Sequence, residues 1–202
     1  MPTPTGLRER KKAQTRAAIQ RQALHLFEQD GYDTTTMEQI AAAADVSPST
    51  LYRYFPTKED LILTDDYDPL LATAFRAQPP DLPILTAFRA AVHETLTSVP
   101  PEEQTEMVTR VRLSYAIPEV RARALDHLFT TADTIAELFA ERLHRSPDEL
   151  EVRVLAGTVI GAIMAAQQRV LFDPSVDLLD TVETALQCLI DWPERFGGSV
   201  GR

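Results

Sequence analysis

The stretch Thr35 to Phe55, TTMEQIAAAADVSPSTLYRYF, decides how the rest of the chain is read. Met37, Ile40 and Ala41 recur at i, i+3 and i+4, the apolar stripe of a short helix. Ser47 followed by Pro48 is a cap with proline at the first helical position, so a second short helix starts there. A turn of about three residues around Asp45 separates them, which is the arithmetic of a helix-turn-helix. In the second helix Leu51 and Phe55 point inward together, and Val46 lies just ahead of the cap to pin the chain. Ser49, Thr50, Tyr52 and Arg53 are left facing mostly outward. Short hydroxyls let a backbone approach base edges and phosphates, tyrosine hydroxyls reach phosphate oxygens, and an arginine reaches a guanine edge. The amide-rich ends of both helices favour phosphate as well. On these residues alone a plainer reading stays open, in which Tyr52, Tyr54 and Lys58 only pack and solvate a small helical subdomain.

Boundary signals extend the helical reading in both directions. Thr35 with Glu38 has the spacing of a capping box, Thr57 with Asp60 repeats it, and Ser146-Pro147 with Glu149 and Asp173-Pro174 are further helix starts. Pro79-Pro80, Pro100-Pro101 and Pro118 close helices between them. The expectation is an all-α chain of about nine helices: 7–30, 36–44, 48–54, 58–77 with a kink or restart at Asp68-Pro69, 83–98, 103–116, 118–145, 147–172 and 175–192. The domain division expected is 1–60 for the helix-turn-helix part, with its motif at about 35–55, and 61–202 for the remainder.

The 202 residues are 44% hydrophobic, enough to fill a core without staples, and the single cysteine, Cys188, has no internal partner. The start, MPTPTGLRERKK, does not resemble a signal peptide, and the longest uncharged run, Val154 to Gln168, is short of the roughly 20 residues a bilayer span needs. A cytoplasmic protein without a membrane partner is therefore expected. The net charge of -10 conceals an asymmetry. Arg8, Arg10, Lys11, Lys12, Arg16 and Arg21 face Glu9 alone in the first 21 residues, whereas residues 61–202 hold 12 arginines and no lysine against 22 acids. A local basic face sets the field within a screening length of about 8 Å, so an acidic average does not exclude a polyanion.

GYDTTTMEQIAAAADVSPSTLYRYFPTKEDLI, Gly31 to Ile62, resembles the DNA-binding segment of the tetracycline-repressor (TetR) family of bacterial transcription regulators. Asp45 departs from the glycine usual in that turn, and aspartate tolerates the left-handed conformation better than most residues. The resemblance implies that Pro48, Ser49, Thr50 and Arg53 face bases, Arg53 setting sequence preference, and that Thr36, Ser47, Tyr52, Tyr54 and Lys58 contact phosphates of a double-stranded operator. For the basic cluster at 8–16, a solvated helix start and a DNA contact are equally open.

Beyond Asp60 apolar residues recur at helical spacing. Leu125, Phe129, Ala132, Ala136, Phe139 and Leu143 step by threes and fours as a continuous buried seam. Gly157, Gly161 and Ala165 make a small-residue ridge, and Leu179, Val182, Leu186 and Leu189 share one stripe of the last helix. Packing of these two helices on each other is the plain reading; the family resemblance implies that both join their copies in a homodimer as a four-helix bundle. It further implies a ligand cavity in the middle helices, for which Phe75, Phe88, Met107, Leu113, Tyr115, Phe129 and Met164 are candidate lining residues and His93, His127 and Gln168 sparse polar anchors. A small hydrophobic or acyl-type effector, acyl-CoA included, is the class implied. The expected function is that of a DNA-binding transcriptional regulator, a repressor released by its ligand; the alternative keeps the fold as a small-molecule or protein-binding module without DNA. An enzyme is disfavoured and no cofactor or metal is expected, because the four histidines, at 25, 93, 127 and 144, lack metal spacing and no phosphate-cradling glycine loop occurs.

Overall fold

A computed structural model describes residues 4–64, 67–173 and 175–192. These residues form helices without strands, in the order α1 (Pro4–Gln29), α2 (Met37–Ala43), α3 (Pro48–Tyr54), α4 (Asp60–Leu63), α5 (Tyr67–Ala77), α6 (Ile84–Thr97), α7 (Pro101–Ala116), α8 (Pro118–Leu143), α9 (Leu150–Phe172) and α10 (Leu178–Ile190). The helix expected over 58–77 is divided into the single turn α4 and the longer α5, which brings the described residues to ten helices where about nine were expected. Pro69 stands in the first turn of α5, where its missing N–H costs no hydrogen bond. Asp65, Asp66 and Pro174 lie outside the described residues.

The chain divides into two compact units, 1–64 with 105–124, and 65–104 with 125–202. A boundary at residue 60 did not anticipate the second segment of the first unit. Its core gathers Ile19, Ala23 and Phe27 of α1, Met37, Ile40 and Ala41 of α2, Leu51 and Phe55 from α3 and its C-cap, Leu61 and Ile62 of α4, and Val120 of α8. Polar contacts fasten the same segment: Arg21 Nε donates to Glu106 Oε1 at 2.8 Å, and Arg123 Nε to the buried carboxylate of Asp60 at 3.3 Å. Asp60 also accepts from the Thr57 N–H at 3.0 Å while Thr57 Oγ1 accepts from the Asp60 N–H at 3.3 Å, so the box expected there is formed.

The second unit is centred on three rings, with Phe139 5.6 Å from Phe75 and 5.4 Å from Phe88, centroid to centroid. Around them pack Ala87, Ala91 and Val92 of α6, Ile135 and Ala136 of α8, Val152, Ala156 and Val159 of α9, and Val182 and Leu186 of α10. Arg142 ties the end of α8 to the α5–α6 connection: its guanidinium donates to the carbonyls of Gln78 at 3.4 Å and Leu82 at 3.2 Å, and lies over the Phe75 ring. Of the expected α8 seam only Ala136 and Phe139 are fully buried. Ala136 and Phe139 are inside with Ile135, Leu138 and Ala140, whereas Leu125, Phe129 and Leu143 are exposed, Phe129 by 73%.

Two helix starts differ from expectation because side chains found other partners. α9 begins at Leu150, since the Glu149 carboxylate turns back to the Ser146 N–H at 2.8 Å and to Arg145 instead of capping α9. α10 begins at Leu178, capped by the Asp177 carboxylate on the Asp180 N–H at 2.9 Å; Asp173 instead ends α9 and accepts from the Ser175 N–H and hydroxyl. α9 has a mean hydropathy of 1.4 over an 18-residue window, enough by length and composition to cross a membrane. One side of it, Val152, Ala156 and Val159, belongs to the core just described.

Candidate nucleic-acid interface

α2 opens on Thr36, not on Thr35. Thr36 Oγ1 accepts from the Gln39 N–H at 3.2 Å, and Gln39 Oε1 accepts from the Thr36 N–H at 2.8 Å. The expected box at Thr35 and Glu38 is displaced by one residue because Thr35 is buried and its hydroxyl is used elsewhere, donating to the carbonyls of Gly31 at 2.8 Å and Leu26 at 3.3 Å. These are carbonyls at the end of α1, so Thr35 closes one helix and Thr36 starts the next.

The turn is a Schellman motif built without glycine. The Val46 N–H donates to the Ala41 carbonyl at 3.0 Å and the Asp45 N–H to the Ala42 carbonyl at 3.2 Å, with Asp45 at φ +53°. Asp45 thus adopts the left-handed conformation expected of it. Ser47 then caps α3 by accepting from the Thr50 N–H at 3.2 Å, with Pro48 at the first helical position. Its hydroxyl also donates to Thr50 Oγ1 at 2.9 Å and lies 3.0 Å from Ser49 Oγ, so three hydroxyls meet at the start of α3.

Leu51 and Phe55 are fully buried and fix the rotation of α3 about its axis. The opposite face is thereby presented outward. Pro48, Ser49, Tyr52 and Arg53 are exposed, Tyr52 by 44%, and Thr50 is half-buried among the capping hydroxyls. Tyr52 Oη lies 3.5 Å from Glu38 Oε1, a long contact that bridges the exposed faces of α2 and α3 and that spacing gave no reason to expect. The Arg53 guanidinium rests over the Tyr54 ring, 5.5 Å from its centroid, while Tyr54 itself is half-buried against the core of the unit. Six of the nine residues expected to meet DNA, Thr36, Ser47, Pro48, Ser49, Tyr52 and Arg53, are exposed on the α2–α3 segment.

Lys58 is placed differently. Its ammonium donates to the carbonyls of Tyr32 at 2.5 Å and Thr35 at 3.1 Å and sits 4.1 Å from the Tyr32 ring centroid. It holds the α1–α2 connection. The Tyr32 hydroxyl donates to Glu59 at 3.2 Å; burial and then the Glu59 carboxylate push this phenol upward.

The remaining candidates are divided between the two units. Met107, Leu113 and Tyr115 belong to the first unit, where burial raises the Tyr115 phenol. Phe75, Phe88, Phe129, Met164 and Gln168 belong to the second. There Phe75 and Phe88 are consumed in the ring cluster, Met164 is half-buried, and Phe129 and Gln168 are exposed. His93, expected as an anchor, contacts Glu183 across α6 and α10, and His127 is half-buried. The last two helices also divide. Val182 and Leu186 face their own core and Leu189 is half-buried against it, so most of this stripe packs α10 inward, while Leu179 is half-buried. Gly157, Gly161 and Ala165 are exposed, in line with Leu150, Val154 and Phe172, and a Cβ added at either glycine meets nothing within 4 Å.

A model for bacterial regulatory proteins of the tetR family matches residues 19–64, and the MftR C-terminal domain of such regulators matches residues 82–192, more than half of the chain. The chain belongs to the tetR family. It is a DNA-binding transcriptional regulator. Over 63 residues it is 49% identical to the regulator TcmR of Streptomyces glaucescens, a match spanning 31% of this chain and 28% of that protein. Over 179 residues it is 24% identical to the transcriptional regulator MftR of Mycobacterium tuberculosis, spanning 87% of this chain and 89% of that one. Among solved structures, the repressor FadR of Thermus thermophilus in complex with lauroyl-CoA aligns with a TM-score of 0.55 at 24% identity, covering 93% of this chain and 96% of FadR. SmeT of Stenotrophomonas maltophilia in complex with triclosan aligns with a TM-score of 0.61 at 16% identity, covering 88% and 90%. These structures share the TetR fold.

Proposed function

We propose that this TetR-family regulator is a cytoplasmic homodimeric repressor that reads a palindromic operator through α3 and leaves it when a small hydrophobic or acyl-type effector binds. The observation that carries the reading is the division of α3: two fully buried side chains, Leu51 and Phe55, pin one face, and an exposed Ser49, Tyr52 and Arg53 occupy the other. A seven-residue helix reaches few bases. Two copies related by a two-fold axis, about 34 Å apart on the duplex, double those contacts on a palindrome. The exposed apolar side of α9 supports the dimer, because a helix face carrying Leu150, Val154 and Phe172 around two glycines gains most by meeting an equally apolar surface closely. Arg53 acts on bases; Thr36, Ser47 and Tyr52 act on phosphates. FadR, of the same fold, was solved with an acyl-CoA, and the effector class proposed here is of that chemical kind.

Selection of genomic fragments by the purified protein tests the reading. The expected result is recovery of a short palindromic site whose occupancy falls when long-chain acyl-CoA or a comparable hydrophobic ligand is added. Recovery of no sequence-specific fragment overturns the operator reading, and occupancy indifferent to every hydrophobic ligand overturns the release mechanism.

A further inference from the structure

We propose that Lys58 is a positioning residue of the reading head. Its charge is held inside the protein, where it fixes the connection that presents Thr36, and it acts on DNA through that residue instead of through a phosphate of its own; this rests on the operator reading above. An ammonium carries three N–H donors and no acceptor. At Lys58 the carbonyls of Tyr32 and Thr35 accept at 2.5 and 3.1 Å, and the Tyr32 ring lies against the same nitrogen, its centroid 4.1 Å away. A cation at that distance is drawn to the ring face, so two carbonyls and a ring account for the three donors. Glu59 holds the same tyrosine by its other end, accepting from Tyr32 Oη at 3.2 Å, and Phe27 of α1 packs beside the ring, 5.1 Å between centroids. The clasp stands on a fixed base, because Thr57 and Asp60 close the box that starts α4 on either side of it. Lys58 is accordingly half-buried, whereas Arg53 is exposed.

What the clasp holds is the entry to α2. Gly31, at φ +90°, turns the chain out of α1, and Thr35 closes back on the Gly31 carbonyl through its N–H at 3.3 Å and its hydroxyl at 2.8 Å. Lys58 ties the same short connection from the α3 side. Thr36 comes next, exposed as the cap of α2. Its Oγ1 accepts from the Gln39 N–H at 3.2 Å, which leaves its O–H to donate to a phosphate. Such a bond weakens steeply once its direction is lost. Releasing the Tyr32 and Thr35 carbonyls therefore disturbs the phosphate contact of Thr36 without changing the number of charges that meet DNA.

The test measures binding of the full-length protein to the selected palindromic duplex across a salt series, for wild type, Lys58→Gln and Lys58→Arg, each shown to be folded at the assay temperature by circular dichroism. Lys58→Gln should lose about tenfold or more in affinity, the scale of one hydrogen bond to a charged group, with an unchanged log-log salt slope. Lys58→Arg should lose a similar factor, because a planar guanidinium keeps the charge but does not fit a site shaped for a compact ammonium. In a Thr36→Ala background the loss on Lys58→Gln should shrink to about twofold or less, since the residue it acts through is already gone. A slope shallower by about 1.8 in Lys58→Gln, as two lysines per dimer at ~0.9 each require, with binding kept by Lys58→Arg, makes Lys58 a phosphate contact and overturns the inference while leaving the operator reading intact. A folded Lys58→Gln protein with a lowered denaturation midpoint and wild-type affinity makes the clasp a matter of stability alone and also overturns it. The full loss persisting in the Thr36→Ala background does the same. A wild type that selects no duplex overturns the operator reading and this inference together.

Discussion

α3 and α9 are both half-exposed helices, and their exposed faces differ in kind. α3 shows serine, tyrosine and arginine to solvent, whereas α9 shows Leu150, Val154, two glycines and Phe172. The difference indicates the partner each face fits. A polar face held rigidly by a buried leucine and phenylalanine suits a charged, hydrated ligand that must be met in one orientation. An apolar face with a shallow centre suits a second protein surface of the same character. Each helix is also locked from behind, α3 by the first core and α9 by Val152, Ala156 and Val159 in the second, so neither exposure reflects a helix without a place.

The largest effect expected falls on the lock of α3. Leu51→Ala empties a fully buried site and should cost about 2 to 5 kcal/mol in chemical denaturation, with operator binding lost alongside. An unchanged denaturation midpoint would show that Leu51 is not what holds the reading helix.

The exposed face of α9 should behave in the opposite way. Gly157→Leu with Gly161→Leu adds side chains at two exposed positions where a Cβ meets nothing within 4 Å, and removes two helix-interior glycines, each about 1 kcal/mol worse than alanine. The subunit should fold at least as well as before, yet elute as a monomer in light scattering and bind the operator weakly. A stable dimer carrying both substitutions would move the interface elsewhere.

Within the polar face the two outermost residues should separate. Arg53→Ala is expected to cost about 1 to 3 kcal/mol on the preferred operator and little on other sequences, blurring preference, whereas Tyr52→Phe should weaken all sequences alike by roughly 1 kcal/mol or less. The reverse pattern would exchange the two roles.

Much of this was legible in the sequence where the signal is local. Ser47-Pro48, the Asp45 turn and the Leu51–Phe55 pair all act within a few residues, and their structure follows from caps, left-handed backbone and helical period. The misplacements arose where a side chain had a choice of partners. Thr35 and Thr36 are equal candidates to cap a helix by sequence, and only the carbonyls at the end of α1 decide between them. For Lys58, spacing gave no sign of the two carbonyls it holds. Apolar stripes carry the same ambiguity. Val182 and Leu186 read as well for a partner as for their own core, and Phe129 as well for a seam as for a surface, because periodicity gives a helix face without saying what covers it.

The smallest effect concerns pH. Burial raises the Glu59 carboxyl, but its backbone N–H and the hydroxyls of Thr57 and Tyr32 outweigh it and hold this group below the ordinary carboxylate range. Stability from Glu59 is therefore present above a pH of about 4.3 and lost as pH falls through the lower folded value. Glu59→Gln should destabilise the first unit slightly near neutrality, and the difference from wild type should vanish in acid; a difference that grows in acid would contradict the sign.

The most direct measurement of the central claim is the salt dependence of operator affinity for the full-length protein. A dimer reading DNA through two copies of α3, with about 6 to 10 phosphates neutralised, predicts a log-log slope of roughly -5 to -9. A flat dependence would contradict it, leaving α3 a capped core helix with a polar back.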